Sequence, residues 1–107
     1  MTMRKALFGT ETNAKILFYL LQNKTCYLSE LKRNFSMNFE TLHKGLTNLE
    51  QAGILRSYYE GRTRLFRFDS KCYFLGELKA LLKKLYKKLP EKEKRQYYEN
   101  KRMKEEP

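Results

Sequence analysis

Cys26, Cys72 and His43 are the residues whose types come first to mind for metal or nucleophilic chemistry, and their spacing supports neither. A zinc site needs about four ligands, usually Cys or His at close spacing. Here one histidine and two distant cysteines are all there is, with no C-x-x-C pair. The cysteines read as small buried thiols, with a redox pair as the alternative. No serine or cysteine has an evident base partner, so no catalytic residue, metal or cofactor is expected. What the sequence does offer is recognition chemistry. Glu40, His43, Lys44, Thr47, Asn48 and Gln51 share one face of a helix expected over 39–52, opposite an apolar stripe of Leu42, Leu46, Leu49 and Ala52. Such a face can read base edges. Lys44 can reach guanine O6 and N7 or a phosphate, Glu40 can accept from a cytosine amine, and Phe39 can pack on a thymine methyl.

The elements that would position this face follow from periodicity and caps. A first helix is expected over about 12–23, capped by Thr10 or Thr12. Ile16, Leu17, Leu20 and Leu21 lie on one face, and Phe18 and Tyr19 on the other. A short strand over 25–28 leads into a helix carrying Leu28, Leu31 and Phe35, which breaks at Phe35-Ser36-Met37-Asn38. Asn38 is a good N-cap for the polar-faced helix, and Gly53 fits the position that stops it. Gly45 sits inside that helix at a cost of roughly 1 kcal/mol relative to alanine. It either lets a neighbouring helix approach closely or is simply tolerated. Strands at 54–59 and 63–68 flank a Glu60-Gly61-Arg62 turn, so a basic hairpin carrying Arg56, Arg62, Arg64 and Arg67 follows directly. Tyr58 and Tyr59 read as packing groups. A last amphipathic helix covers about 74–89 and ends at Pro90.

Charge narrows the partners. Of 107 residues, 23 are Lys or Arg and 12 are Asp or Glu, a net charge of +11. The first 90 residues carry 17 basic and 7 acidic side chains, against 6 and 5 in the rest, so the excess lies in the body of the chain. That balance points to a polyanion. No apolar run approaches the roughly 20 residues of a membrane span, and none follows the first charges as a signal peptide would require. The expectation is a cytoplasmic chain without membrane association. One domain is expected over 1–90, with 91–107 a charged helical or frayed tail that has only Tyr97, Tyr98 and Met103 to bury.

The order of elements suggests a helix-turn-helix followed by a wing: mainly α with a small β-hairpin, an α+β class with an extra C-terminal helix. The stretch from Leu28-Ser29-Glu30-Leu31 through Asn38, Thr41-Leu42 and Leu46 to Leu49-Glu50-Gln51-Ala52-Gly53-Ile54-Leu55 resembles the core of bacterial and archaeal winged-helix regulators of the ArsR-like and MarR-like groups. Leu7-Phe8-Gly9-Thr10 and Glu77-Leu78-Lys79-Ala80-Leu81-Leu82 add to the ArsR-like resemblance, including domains that accompany small nucleotidyltransferases; together the match spans about 6–89. The resemblance implies a transcriptional regulator that binds double-stranded DNA. The helix at 39–52 would enter the major groove, and the hairpin at 56–67 would meet backbone or minor groove. Phe39, Glu40, Thr41, His43, Lys44, Thr47, Asn48, Arg56, Arg62 and Arg64 are then the expected contacts. The paired cysteines and the His/Asp set of metal-sensing ArsR-like repressors are missing, as are the nucleotidyltransferase motifs.

Phe18 and Tyr19 lie off the face that the helix-turn-helix would cover, and the last helix has more apolar residues than one small domain needs. A homodimer through Phe18, Tyr19, Phe74, Leu78, Leu82 and Leu85 is therefore expected, as ArsR-like regulators also dimerise through their terminal helices. The rival is a monomer whose last helix folds back over the first. Two other uses of the fold compete with duplex binding. A protein-interaction module would need an apolar recognition face, and an RNA or single-strand binder would need an open aromatic platform.

Overall fold

Thr10 opens the first long helix. Its backbone is extended, and its hydroxyl oxygen accepts the Asn13 N–H at 2.9 Å. In the helix that follows, α2 (Glu11–Asn23), Ala14 and the whole run from Ile16 to Leu20 are buried. Successive side chains turn by about 100°, so five neighbours in a row point in every direction. A helix of this kind has to be enclosed all round.

The computed structural model describes residues 3–99. In chain order α1 (Met3–Phe8) precedes α2. β1 (Cys26–Tyr27), α3 (Leu28–Phe35), α4 (Phe39–Gln51), β2 (Leu55–Glu60), β3 (Thr63–Phe68) and α5 (Leu75–Lys87) follow. A single turn, α6 (Glu91–Glu93), then runs into a π-type turn over Lys94–Tyr98. The architecture is mainly helical with a small antiparallel sheet of order β1-β3-β2, an α+β class. β3 is the central strand: Phe66 lies opposite both Cys26 and Ser57. Leu55, Phe66 and Phe68 turn inward onto the helices.

The expected boundaries hold to within two residues for the long helices, and α1 is an addition. The hairpin turn is tighter than expected. Glu60 pairs with Thr63, leaving only Gly61 and Arg62 between the strands. Gly61 has φ +65°, which a two-residue hairpin turn asks of its first central position and which glycine meets without strain.

Gly45 is a close-approach site. A Cβ placed there would stand 3.0 Å from Ile16 Cδ1, 3.2 Å from Asn13 Oδ1 and 3.3 Å from Thr12 Cγ2. The missing side chain lets α4 lie directly against α2, which accounts for a residue that the helix itself disfavours.

Residues 91–99 correct the expected boundary at 90. Pro90 does end the helical run, but the chain then returns across α2. The Asn23 side-chain amide donates to the Tyr98 carbonyl at 2.8 Å, and that of Asn34 donates to the Tyr97 carbonyl. The Arg4 guanidinium donates to Glu93 at 2.7 Å and also faces Glu11 at 3.5 Å. The Tyr98 ring is completely buried, with its centroid 5.7 Å from Phe18, 5.9 Å from Tyr86 and 6.2 Å from Phe35. These residues are a strap that completes the core. Positions 100–107, Met103 among them, lie outside the described residues.

Two outcomes follow from this packing. Gly45→Val is expected to cost about 2 kcal/mol or more by forcing α4 off α2, although valine is the better helix former; urea denaturation measures it. For the strap, Tyr98→Ala should cost about 3–5 kcal/mol. Tyr98→Phe should cost nothing, because the Tyr98 hydroxyl is buried with no hydrogen-bond partner among the described residues. Burial, with Glu93 next, raises the Tyr98 pKa; burial and Glu99 raise that of Tyr86. A raised folded-state pKa gives stability that is complete below the unfolded value of about 10 and is lost as pH climbs past it. Denaturation midpoints should therefore fall above about pH 10, and less steeply in Tyr98→Phe.

Candidate nucleic-acid interface

Two short signals set the position of α4. Ser36 adopts a left-handed conformation (φ +55°) that ends α3, and the Asn38 side chain then accepts the Thr41 N–H at 2.8 Å. At the other end Gly53 (φ +81°) closes the helix. Its N–H bonds the Glu50 carbonyl at 3.0 Å while the Ile54 N–H bonds the Leu49 carbonyl at 3.1 Å, the paired pattern of a glycine stop. The chain passes straight into β2, so helix and hairpin are rigidly joined.

Leu42, Gly45, Leu46 and Leu49 face inward, which leaves Glu40, Lys44 and Gln51 exposed along the middle of the outer face, with the half-buried Thr47 among them. Two flanks border this strip. Thr41, Lys44 and Asn48 line a shallow depression shared with Thr10 and Asn13 at the start of α2. On the other side Phe39 is 54% exposed and its ring stacks on His43, with centroids 5.7 Å apart and planes 7° from parallel. This aromatic pair borders a groove of about 450 Å³ between α3, α4 and the hairpin, where Lys32 and Arg62 also converge. Arg62 is exposed at the hairpin tip.

Two of the expected contacts are placed differently: Arg64 lines this groove but is tied up within the chain, and Arg56 lies on another face. The Arg64 guanidinium is engaged: it donates to Glu50 at 2.9 Å and lies 4.9 Å from the centre of the Phe66 ring. The same Glu50 carboxylate accepts the Ser57 hydroxyl at 2.7 Å. Arg64 is therefore a brace between hairpin and helix, not a free cation. Arg56 is exposed but alternates to the other face of the sheet, directly opposite Arg67. Tyr59, expected to pack, is 70% exposed. Sequence reasoning missed Glu50 as the clamp of the hairpin. Its signal was there: a carboxylate three residues before the glycine stop, followed by serine and arginine at same-face positions of the two strands.

The residues expected between two copies are mostly inside one. Phe18, Tyr19 and Leu82 are fully buried, covered by Tyr86, Phe35 and the strap residue Tyr98. Phe74, Leu78 and Leu85 are half-buried, and Leu78 and Leu85 pack on the core. Leu81, at 38% exposure, is the large apolar residue that α5 leaves exposed. The apolar surface behind the expected homodimer is thus taken up by the chain's own fold-back, as in the monomeric rival.

Among the described residues no group of three or more His, Cys, Asp or Glu is placed to hold a metal, and neither Cys26, which is buried, nor Cys72, which is half-buried, forms a disulfide. No described helix is long and apolar enough to cross a membrane. Neither a protein-family model nor a curated protein matches the chain.

The clamp gives a direct test. Glu50→Ala should lower stability by about 1 kcal/mol, since both bonds are partly exposed. Hydrogen exchange at β2 and β3 amides should quicken more than in α2. Equal acceleration everywhere would mean that Glu50 does not hold the hairpin locally.

Proposed function

We propose that the chain binds double-stranded DNA as a transcriptional regulator of the winged helix-turn-helix type. In this reading α3 and α4 form the helix-turn-helix, α4 enters the major groove, and the hairpin acts as the wing. The observation that carries it is the pairing of an exposed polar face on a capped helix with a braced basic hairpin whose tip, Arg62, borders the same groove as Phe39 and His43. The N-terminal residues of the recognition helix reach the base edges in such docking, which gives them to Glu40 and Thr41 in the first turn and Lys44 in the second. Arg62 takes phosphate or the minor groove, and Arg64 acts indirectly by holding the wing. The net charge of +11 supplies the attraction.

Selection from random duplexes, with affinities measured at two salt concentrations, tests the reading. Log affinity should fall against log salt with a slope of roughly 0.9 per phosphate neutralised. Lys44→Ala should change sequence preference, whereas Arg62→Ala should weaken all duplexes evenly. The exposed Phe39–His43 stack favours one alternative, base stacking in RNA or single strands, so both serve as competitors. Tighter binding to either, lost in Phe39→Ala, would replace the duplex reading.

A further inference from the structure

A second basic site lies at the other end of the hairpin. Arg67, on β3, is five positions beyond Arg62 at the hairpin tip, roughly 16 Å at strand rise. There Lys24, Arg67, Lys79 and Lys83, from the end of α2, from β3 and from α5, line one pocket of about 320 Å³. No Asp or Glu of the described residues lines it. Its apolar wall is Leu20, Leu75 and Phe68, and the Lys79 ammonium already rests 5.3 Å from the centre of the Phe68 ring. Four cations held around one depression without a carboxylate repel one another, and an anion relieves that repulsion.

Backbone strain falls at the same place. Lys24 has φ +70° and ψ −39°, and the Thr25 N–H bonds the Asn23 carbonyl at 2.8 Å across it. This is the rare, strained form of the three-residue turn, and a lysine there has a costlier backbone than a glycine would. An outlier of this kind motivates a functional reading, and here the strained residue contributes a cation to the pocket. Arg56 and Arg67, opposite each other on the outer sheet face, repeat the pattern of like charges set side by side.

We propose that this pocket binds an organic phosphate of nucleotide size. Lys24, Arg67, Lys79 and Lys83 hold the phosphate oxygens, and the apolar or aromatic part lies against Leu75 and Phe68. The volume is at the small end of the usual range for small-molecule sites, about 300–1,000 Å³. The site is separate from the α4 surface and does not depend on it.

Calorimetric titration of the whole chain with AMP, at near-physiological salt, tests this, with adenosine and inorganic pyrophosphate as companions. AMP and pyrophosphate should bind saturably at one site, and adenosine should not. Arg67→Gln and Lys83→Gln should each weaken AMP by about tenfold, the loss of one charge-assisted contact. Lys88→Gln, just past the end of α5 and outside the pocket, should change it less than about twofold. Lys24→Gly should weaken AMP while melting no lower than the parent, which separates lost binding from lost fold. Absence of saturable binding, or an equal effect of Lys88→Gln, overturns the site. So does abolition of AMP binding by Lys44→Ala, which would put the anion on α4. A saturating short duplex should leave AMP binding unchanged. Displacement of AMP by the duplex would assign the pocket to backbone phosphates and overturn the free-ligand reading.

Discussion

The structure depends on the enclosure of α2. Ile16 to Leu20 bury side chains in every direction, so no single layer can satisfy this helix. α4 covers one side at the distance that Gly45 permits, α5 and the inward strand residues Phe66 and Phe68 cover others, and the strap brings Tyr98 to what remains. Because interiors pack close to crystal density, each cover fixes the next. The close contact at Gly45 sets the roll of α4 about its own axis, and that roll decides which residues point outward. The identity of the polar face at Glu40, Lys44 and Gln51 is in this sense a consequence of core packing.

The hairpin owes its position to different forces. It is joined to α4 by the glycine stop at Gly53 and braced by Glu50, which accepts from Ser57 on one strand and Arg64 on the next. These bonds are half exposed and individually weak. They act on the outer half of the hairpin; its inner half is held by Leu55, Phe66 and Phe68 in the core and by the pairing of β3 with β1. The tip is thus aimed by polar contacts, whereas α4 is aimed by apolar ones. The two parts of the candidate interface should respond differently to salt and temperature for that reason.

How much was legible in the sequence follows the same division. Where local chemistry decides, the reading was good: Thr10 and Asn38 cap, Gly53 stops, Gly61 turns, and the stripe of Leu42, Leu46 and Leu49 faces inward. Where distant segments decide, it was not. A segment dense in lysine and glutamate looks like a tail, because averages hide Tyr98, and a single aromatic ring can bury 150–250 Å². Once that ring is in place, Phe18 and Tyr19 are core residues, not an interface. The engagement of Arg64 was hidden for a related reason. Charge can be counted in a sequence, but whether a guanidinium is free depends on a carboxylate fourteen positions away.

The strap also orders events in time. Residues 28–68, which hold α3, α4 and the hairpin, make their contacts with one another over short sequence separations, and such contacts form early. The core around Phe18 cannot close until residue 98 has been made, because Tyr98 is one of its walls. A nascent chain emerging from the ribosome therefore presents its α4 face and basic hairpin before α2 is sealed. During that interval Phe18 and Tyr19 are open to water and to other nascent chains. Arrival of Tyr98 is what ends the exposure.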